Sequence, residues 1–125
     1  MTVLLDTSVL VDILRASPPA LAYARDLDQT PLCSEVTRVV FLRGLQSGKR
    51  SRADRVLQAL RWIDLDEAIA RRAGALGQTF RRSHPGIGTV DLVIAATTQE
   101  LGLELATGNV KHFPMFPGLR PPYPG

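Results

Sequence analysis

The fold is decided first by the stretch TVLLDTSVL at residues 2–10. Residues 2–5 form a short, continuous apolar run, which is typical of a strand buried on both faces of a sheet. The run stops at the polar segment 6–8, a helix-capping loop, and Val9, Leu10, Ile13 and Leu14 then repeat at helical spacing. The stretch therefore predicts a buried strand joined to a helix, with the carboxylate of Asp6 at the junction.

Length and composition predict one globular domain and exclude several other classes. The 125 residues can bury about two thirds of the unfolded surface. With 45% hydrophobic and 22% charged residues, the chain does not match a disordered, collagen-like or coiled-coil protein. A single cysteine, Cys33, excludes a disulfide framework or a zinc site with paired cysteines, and a reducing compartment fits best. The net charge of +3, carried mostly by arginine, is compatible with phosphate binding but does not by itself indicate nucleic acid.

The N-terminal stretch has no basic segment, and Asp6 interrupts its apolar run, so a signal peptide is not expected. No uncharged run approaches the ~18 apolar residues of a membrane span. We therefore expect a cytoplasmic protein with no membrane association.

Strand and helix patterns alternate along the rest of the chain. We expect further strands at residues 30–34, 62–65 and 103–107, with an edge strand near Leu119. Helices are expected to begin at residues 9 and 18 and to cover residues 37–44, 56–60, 65–80 and 90–101. Thr37 and Thr89 are the expected N-caps of the 37–44 and 90–101 helices. This alternation predicts an α/β fold with a parallel sheet between helix layers, formed by one domain over residues 1–125. The proline-rich tail, residues 114–125, is expected to lie extended over the surface.

Candidate site residues follow the predicted strands. In a parallel sheet the strand ends share one edge, so Asp6, the 34–37 turn and the 107–109 segment should gather there. Asp91 begins an otherwise apolar helix, where a carboxylate facing the core costs several kcal/mol unless it is paired or binds a cation. Two carboxylates at one edge favour Mg²⁺ or Mn²⁺ and phosphodiester hydrolysis. Alternatively, Asp6 is only a helix cap and Asp91 only a paired core carboxylate.

Neighbouring polar residues would orient waters or carboxylates at such a site. These candidates are Thr7, Ser8 and Asn109. A helix cap for Ser8 and a turn role for Asn109 are the alternatives.

Four blocks of the chain resemble the PIN-domain ribonucleases, specifically toxins of the VapC type. The blocks are VLLDTSVLVD (3–12), SEVT with LRG (34–37 and 42–44), DLVIAA (91–96) and TGNVKHF (107–113). Their order and spacing match over essentially the whole chain. The resemblance implies a three-layer α/β/α sandwich with a central, mostly parallel five-stranded sheet. It also implies Mg²⁺- or Mn²⁺-dependent endonucleolytic cleavage of RNA, a homodimer, and neutralisation by a VapB-type antitoxin.

The family's acidic residues carry over only in part. Asp6 matches the first and Asp91 the third, so both should bind metal, with Asn109 as a further catalytic residue. The second acid is a glutamate three residues after the threonine of Ser-x-x-Thr-x-x-Glu-Leu, and here that position is Val40. Activity and metal binding should be reduced as a result, since Glu35 precedes the expected helix and should point elsewhere.

The fourth family acid, in Asn-x-x-Asp-Phe, is replaced by His112. Thr107 and Asn109 remain available to serve the site there. His112 could bind the metal, donate a proton or support a metal ligand, or it could only pack in a turn beside Phe113. His84, in a loop rich in proline and glycine, is expected to be a surface residue.

Several basic residues could line an RNA path or meet an acidic segment of the antitoxin. They are Arg38, Arg43, Lys49, Arg50 and Arg52. The sequence does not separate the two uses. A structured RNA such as tRNA is a plausible substrate.

Three functions compete. The leading hypothesis is an active VapC-like ribonuclease, and the alternative is a catalytically weak or inactive PIN domain that binds RNA or antitoxin. A phosphatase of the haloacid dehalogenase type also begins with an apolar strand and aspartate, but it needs a second aspartate where Ser8 stands. No phosphate-binding glycine motif supports a nucleotide switch.

Overall fold

The computed structural model describes residues 1–124 and contains a parallel four-stranded sheet between helices. The strands are β1 (Val3–Leu5), β2 (Leu32–Ser34), β3 (Arg61–Ile63) and β4 (Glu104–Ala106), in the order β3-β2-β1-β4. Every neighbouring pair is parallel, with Leu4 opposite Leu32 on one side and opposite Leu105 on the other. The strand that carries Asp6 at its end is therefore central.

Within residues 1–124, six α-helices connect and cover the strands. They are α1 (Thr7–Leu14), α2 (Pro18–Arg25), α3 (Glu35–Arg43), α4 (Arg50–Gln58), α5 (Glu67–Phe80) and α6 (Thr89–Leu101); a single 3₁₀ turn spans Val110–His112. None of the helices within residues 1–124 has the length and apolarity needed to cross a membrane.

Two cores lie on opposite faces of the sheet, because successive strand side chains point in opposite directions. Val3 and Leu5 join residues of α1, α3 and α4 on one face. Leu4 joins Ile94 of α6 and Leu105 on the other face. The predicted three-layer α/β/α sandwich is thus confirmed.

The expected fifth strand is absent from the described part of the tail, so the sheet has four strands rather than five. Leu119 instead closes a turn, its N–H donating to the carbonyl of Phe116 (3.2 Å). Five prolines in residues 114–125 remove the backbone donors that a strand ladder requires. Gly125 lies outside the described residues.

The tail nevertheless packs tightly. Met115, Phe116 and Leu119 pack against the core on the α6 face. Tyr123 joins the opposite core, donates a hydrogen bond to Asp12 of α1 (2.7 Å) and faces the ring of Tyr23 of α2 (5.9 Å between centroids). Side-chain packing therefore replaces strand pairing in this segment.

Most helix starts differ by a few residues from the sequence prediction; for example, α1 begins at Thr7 rather than at residue 9, and α5 at Glu67 rather than at 65. α3 begins two residues earlier than expected, because Ser34 ends β2 and its hydroxyl accepts the N–H of Val36 (3.2 Å). Thr37 is therefore a buried residue inside the first turn, and Val40 lies in the second turn. At α6, Gly88 is the N-cap and Thr89 is the first helical residue.

Candidate active site at the carboxyl edge of the sheet

Asp6 lies between β1 and α1 and is only 3% exposed. Its Oδ1 accepts the backbone N–H of Thr7 (2.8 Å), which makes it the N-cap of α1. Its Oδ2 accepts the hydroxyls of Thr107 (2.6 Å) and Ser8 (3.2 Å). Three donors therefore fix the orientation of this carboxylate at the N-terminus of α1. The cap role and a site role are compatible at this position.

The same hydroxyls anchor the loop that follows β4. Thr107 is fully buried, and its Oγ1 accepts the N–H of Asn109 (3.0 Å). The hydroxyl of Ser8 accepts the N–H of Gly108 (3.2 Å). Asp6 thus lies at the centre of a network that joins the ends of β1 and β4.

Asp91 lies in the first turn of α6 and is partly buried, with Oδ2 3.1 Å from Nδ1 of His112. Burial raises the pKa of Asp91, and the negative charge of Asp6 raises it further, whereas His112 opposes both effects. The two carboxylates are therefore close enough to repel each other, as two ligands of one cation would be.

The donor set fits a hard divalent cation, although protein ligands are few. Within residues 1–124, no three His, Cys, Asp or Glu side chains converge as a metal-binding group. Mg²⁺ is commonly held by one or two carboxylates and completed by waters and substrate phosphate. The mutual repulsion of Asp6 and Asp91 is the kind of electrostatic stress that a cation relieves. Protein ligation would therefore rest mainly on these two carboxylates.

Val40 lies beside this network on α3. One turn earlier on the same helix, the hydroxyl of Thr37 is 3.4 Å from the hydroxyl of Thr7. Val40 and Thr7 also line the same cavity. An acidic side chain at position 40 would therefore lie near Asp6. The reason is the packing of the second turn of α3 beside Thr7, and not the expected place in the first turn.

Two of the candidate basic residues have structural contacts. The guanidinium of Arg38 binds both carboxylate oxygens of Glu35 (2.5 and 3.1 Å) and lies 3.9 Å from the ring centroid of Trp62. Arg52 donates to the carbonyls of Leu14 (2.6 Å) and Ile13 (3.4 Å) at the end of α1. These contacts tie elements together and leave less of either side chain for RNA or a partner.

The remaining basic candidates are exposed. Arg43 and Lys49 line the same cavity as Val40, together with Arg15, which was not among the basic candidates from the sequence. Arg50, the first residue of α4, lines a separate cavity with Arg38. No local motif marks Arg15, because only the packing of α1 against α3 brings it to Arg43.

Within residues 1–124, the side chains of Asn109 and His84 form no hydrogen bond with either carboxylate. The side chain of Asn109 is exposed and forms no hydrogen bond with residues 1–124, so only its backbone joins the network. His84 lies in an exposed loop, with Nδ1 2.8 Å from the hydroxyl of Ser83.

Comparison with known proteins assigns the chain to a family. The family model described as PIN domain matches residues 3–114. This chain belongs to the PIN-domain family. The match includes both candidate carboxylates, Asp6 and Asp91.

The relatives of this PIN domain are VapC ribonucleases. It is 39% identical to Ribonuclease VapC19 of Mycobacterium tuberculosis over 123 residues, which cover 96% of this chain and 98% of the relative. It is 40% identical to Ribonuclease VapC10 of the same organism over 124 residues, covering 97% and 92%. Among solved structures, a toxin-antitoxin complex from Klebsiella pneumoniae contains a chain with 28% identity and a TM-score of 0.79, covering 97% of this chain and 98% of that one.

Proposed function

We propose that this PIN domain is a VapC-type toxin, a Mg²⁺- or Mn²⁺-dependent endoribonuclease of reduced activity. The observation that carries the proposal is the pairing of buried Asp6, held by three donors, with Asp91, whose pKa is raised first by burial and then by the Asp6 charge. Such a pair at the carboxyl edge of a parallel sheet suits a cation that meets a substrate phosphate. The named relatives are ribonucleases, which supports RNA as the substrate.

In this proposal the chain's own residues have distinct roles. Asp6 and Asp91 hold the metal, Ser8 and Thr107 fix the orientation of Asp6, and His112 fixes that of Asp91. When bound, the metal would neutralise charge on the phosphate and acidify a water for attack. Asn109, exposed at the mouth of the site, would contact substrate.

Val40 is the reason for proposing reduced activity. Its isopropyl group can neither bind a cation nor orient water, so the site keeps two carboxylates where the resemblance implies a third. The alternative function follows from the same observation: a PIN domain that binds RNA or antitoxin with little catalysis.

Metal-dependent cleavage of a structured RNA pool such as total tRNA separates the two functions. We expect the purified chain to cut with Mn²⁺ or Mg²⁺ and to stop in EDTA, while D6N prepared in parallel remains inactive. Equal cleavage by both proteins would reveal a contaminating nuclease. Binding of tRNA without metal-dependent cleavage would favour the binding module.

We also propose a VapB-type antitoxin as partner. A structural relative belongs to a toxin-antitoxin complex, and an apolar groove of about 410 Å³ lies between α1, α2 and α4. Ile13, Leu21, Val56 and Leu60 line the groove, and Arg55 lies at its side. This surface suits the apolar face of an amphipathic segment with acidic flanks. Co-expression with the product of the reading frame immediately upstream tests this: a stable complex that silences cleavage is expected.

The assembly state and location complete the proposal. Val39 and Leu42 of α3 are exposed by 65% and 45%, and their apolar surface supports the expected homodimer. Residues 1–125 are proposed to form one cytoplasmic domain whose proline-rich segment 114–125 is its tail.

A further inference from the structure

A cavity of about 350 Å³ lies between α1 and α3, and Thr7, the residue that follows Asp6, is part of its lining. Its apolar wall is formed by Val11 and Leu14 of α1, Val40 of α3 and Leu45 of the following loop. Thr7 lines the cavity and also donates its N–H to Asp6. The cavity and the candidate active site therefore share one residue and adjoin each other at the start of α1.

The charged side chains in the described lining of this cavity are all positive. Arg15, Arg43 and Lys49 line it, all three are exposed, and no acidic side chain shares the lining. None of the three forms a salt bridge with the residues that the structure describes. Gln46, whose amide can both donate and accept, lies beside them. The cavity thus combines an apolar wall with free cations and one amide.

We propose that this cavity binds one unpaired nucleotide of the RNA substrate, next to the phosphate that is cut. The proposal rests on the proposed ribonuclease function and names the substrate feature that the site selects. The base lies against the apolar wall, its edge reaches Gln46, and the phosphate lies among Arg15, Arg43 and Lys49. RNA-binding proteins read unpaired bases in this way, by apolar or stacking contact with the face and hydrogen bonds to the edge.

Val40 makes part of the cavity wall apolar and uncharged. A glutamate at position 40 would place a negative charge in the wall, where it would attract the cations and repel a phosphate. Valine leaves the cations free and the wall apolar. The residue that weakens the metal site therefore strengthens the nucleotide site, and tight RNA binding with slow cleavage is the expected combination.

The first test fills the cavity. Gly44 lines it with φ −88°, a conformation open to any residue, and a Cβ there would meet nothing closer than 3.6 Å. G44L should therefore fold and obstruct the cavity. G86L makes the same change in an exposed loop where a Cβ meets nothing within 4 Å, and is the matched control.

The readout is the affinity for a fluorescent RNA hairpin, measured by anisotropy in EDTA so that no cleavage occurs. A series of the same hairpin carries one abasic nucleotide at each loop position in turn. For the unchanged protein and G86L, one loop position should lose about tenfold in affinity when its base is removed, the scale of one base contact. For G44L, that position should become indistinguishable from its neighbours.

The second test concerns the phosphate. R43Q should lower the slope of log affinity against log salt concentration by about 0.7, as expected for one lost single-strand phosphate contact. R82Q removes the same charge from an exposed position after α5 and should leave the slope unchanged.

Failure of the inference and failure of the enzyme are distinguishable. Metal-dependent cleavage with no position-specific abasic effect would overturn the nucleotide site and leave the ribonuclease standing. A position-specific effect that G44L abolishes, without any cleavage, would support the nucleotide site and overturn the enzyme. If G44L left RNA binding unchanged but blocked an acidic, leucine-containing peptide, the cavity would be a protein site and the proposal would be wrong.

Discussion

Thr107 donates its hydroxyl to Oδ2 of Asp6 at 2.6 Å, joining two residues that lie 101 positions apart in the chain. Both side chains are buried, so water cannot replace the donor. Because β1 and β4 are parallel neighbours, their ends meet and the pairing of Leu5 with Ala106 brings the next residues together. The bond therefore couples the stability of the sheet edge to the orientation of the candidate metal ligand.

Removal of this hydroxyl should destabilise the protein. T107V keeps the shape of the side chain but leaves Oδ2 of the buried Asp6 with one donor fewer, so unfolding free energy should fall by about 1–3 kcal/mol. Urea denaturation in EDTA measures it. T107S, which retains the hydroxyl, should recover most of that loss, and equal stability of all three proteins would show that the bond is energetically unimportant.

Loss of either carboxylate should abolish metal-dependent cleavage. D6N and D91N each keep the shape of the side chain but remove a charge that would hold the cation, and activity on tRNA should fall by ~10²-fold or more. Manganese binding, followed by calorimetry, should weaken in parallel. Cleavage at the original rate by one of these variants, after a mock purification has excluded contaminating nuclease, would remove that residue from the site.

The raised pKa of Asp91 predicts that D91N increases stability at neutral pH. Burial and the charge of Asp6 raise the folded-state pKa of Asp91 above its unfolded value. The folded state favours the neutral carboxyl, so the contribution of Asp91 to the free energy of unfolding is fully present below the unfolded pKa, about 3.9. This contribution is lost as the pH rises through the folded-state pKa. D91N should therefore unfold at a higher temperature than the parent chain at pH 7, and the difference should shrink towards acid pH.

These melting experiments are done in EDTA, with D28N on the exposed surface as the control. A neutral-pH melting temperature for D91N below that of the parent chain would show that the His112 contact outweighs burial.

Introduction of a carboxylate at position 40 should raise cleavage. Val40 shares a cavity with Thr7, so V40E places a charge near Asp6 and should increase activity by ~10²-fold or more while tightening Mn²⁺ binding. V40Q has nearly the same size without the charge and should not have this effect. Equal rates for V40E and the parent chain across a metal titration would mean that a third acid is dispensable here.

The exposed face of α3 should form the dimer contact. L42E places a charge on this apolar surface and should shift the protein from dimer to monomer in sedimentation at micromolar concentration. Leu101 has the same 45% exposure at the end of α6, so L101E is the matched control and should remain dimeric. A parent chain that sediments only as a monomer at high micromolar concentration would contradict the dimer itself.

Local sequence patterns were sufficient to predict most of the strands and helices. The apolar run at 3–5 and the polar residues after it were sufficient to predict β1, α1 and Asp6 between them, because burial and capping act over a few residues. The errors have equally local causes. Ser34 could cap α3 as well as Thr37 could, and only the end of β2 selected Ser34.

What the sequence determined by itself was the set of chemical groups: a carboxylate after an apolar strand, a second at the start of an apolar helix, and valine where the resemblance implies glutamate. The tertiary structure alone decided which groups meet. It brought Thr107 to Asp6 and His112 to Asp91. It also joined Arg52 to a carbonyl at the end of α1 and placed Arg15 and Arg43 in the lining of one cavity. Such contacts depend on strand order and helix packing between segments far apart in the chain, and no local pattern encodes those distances.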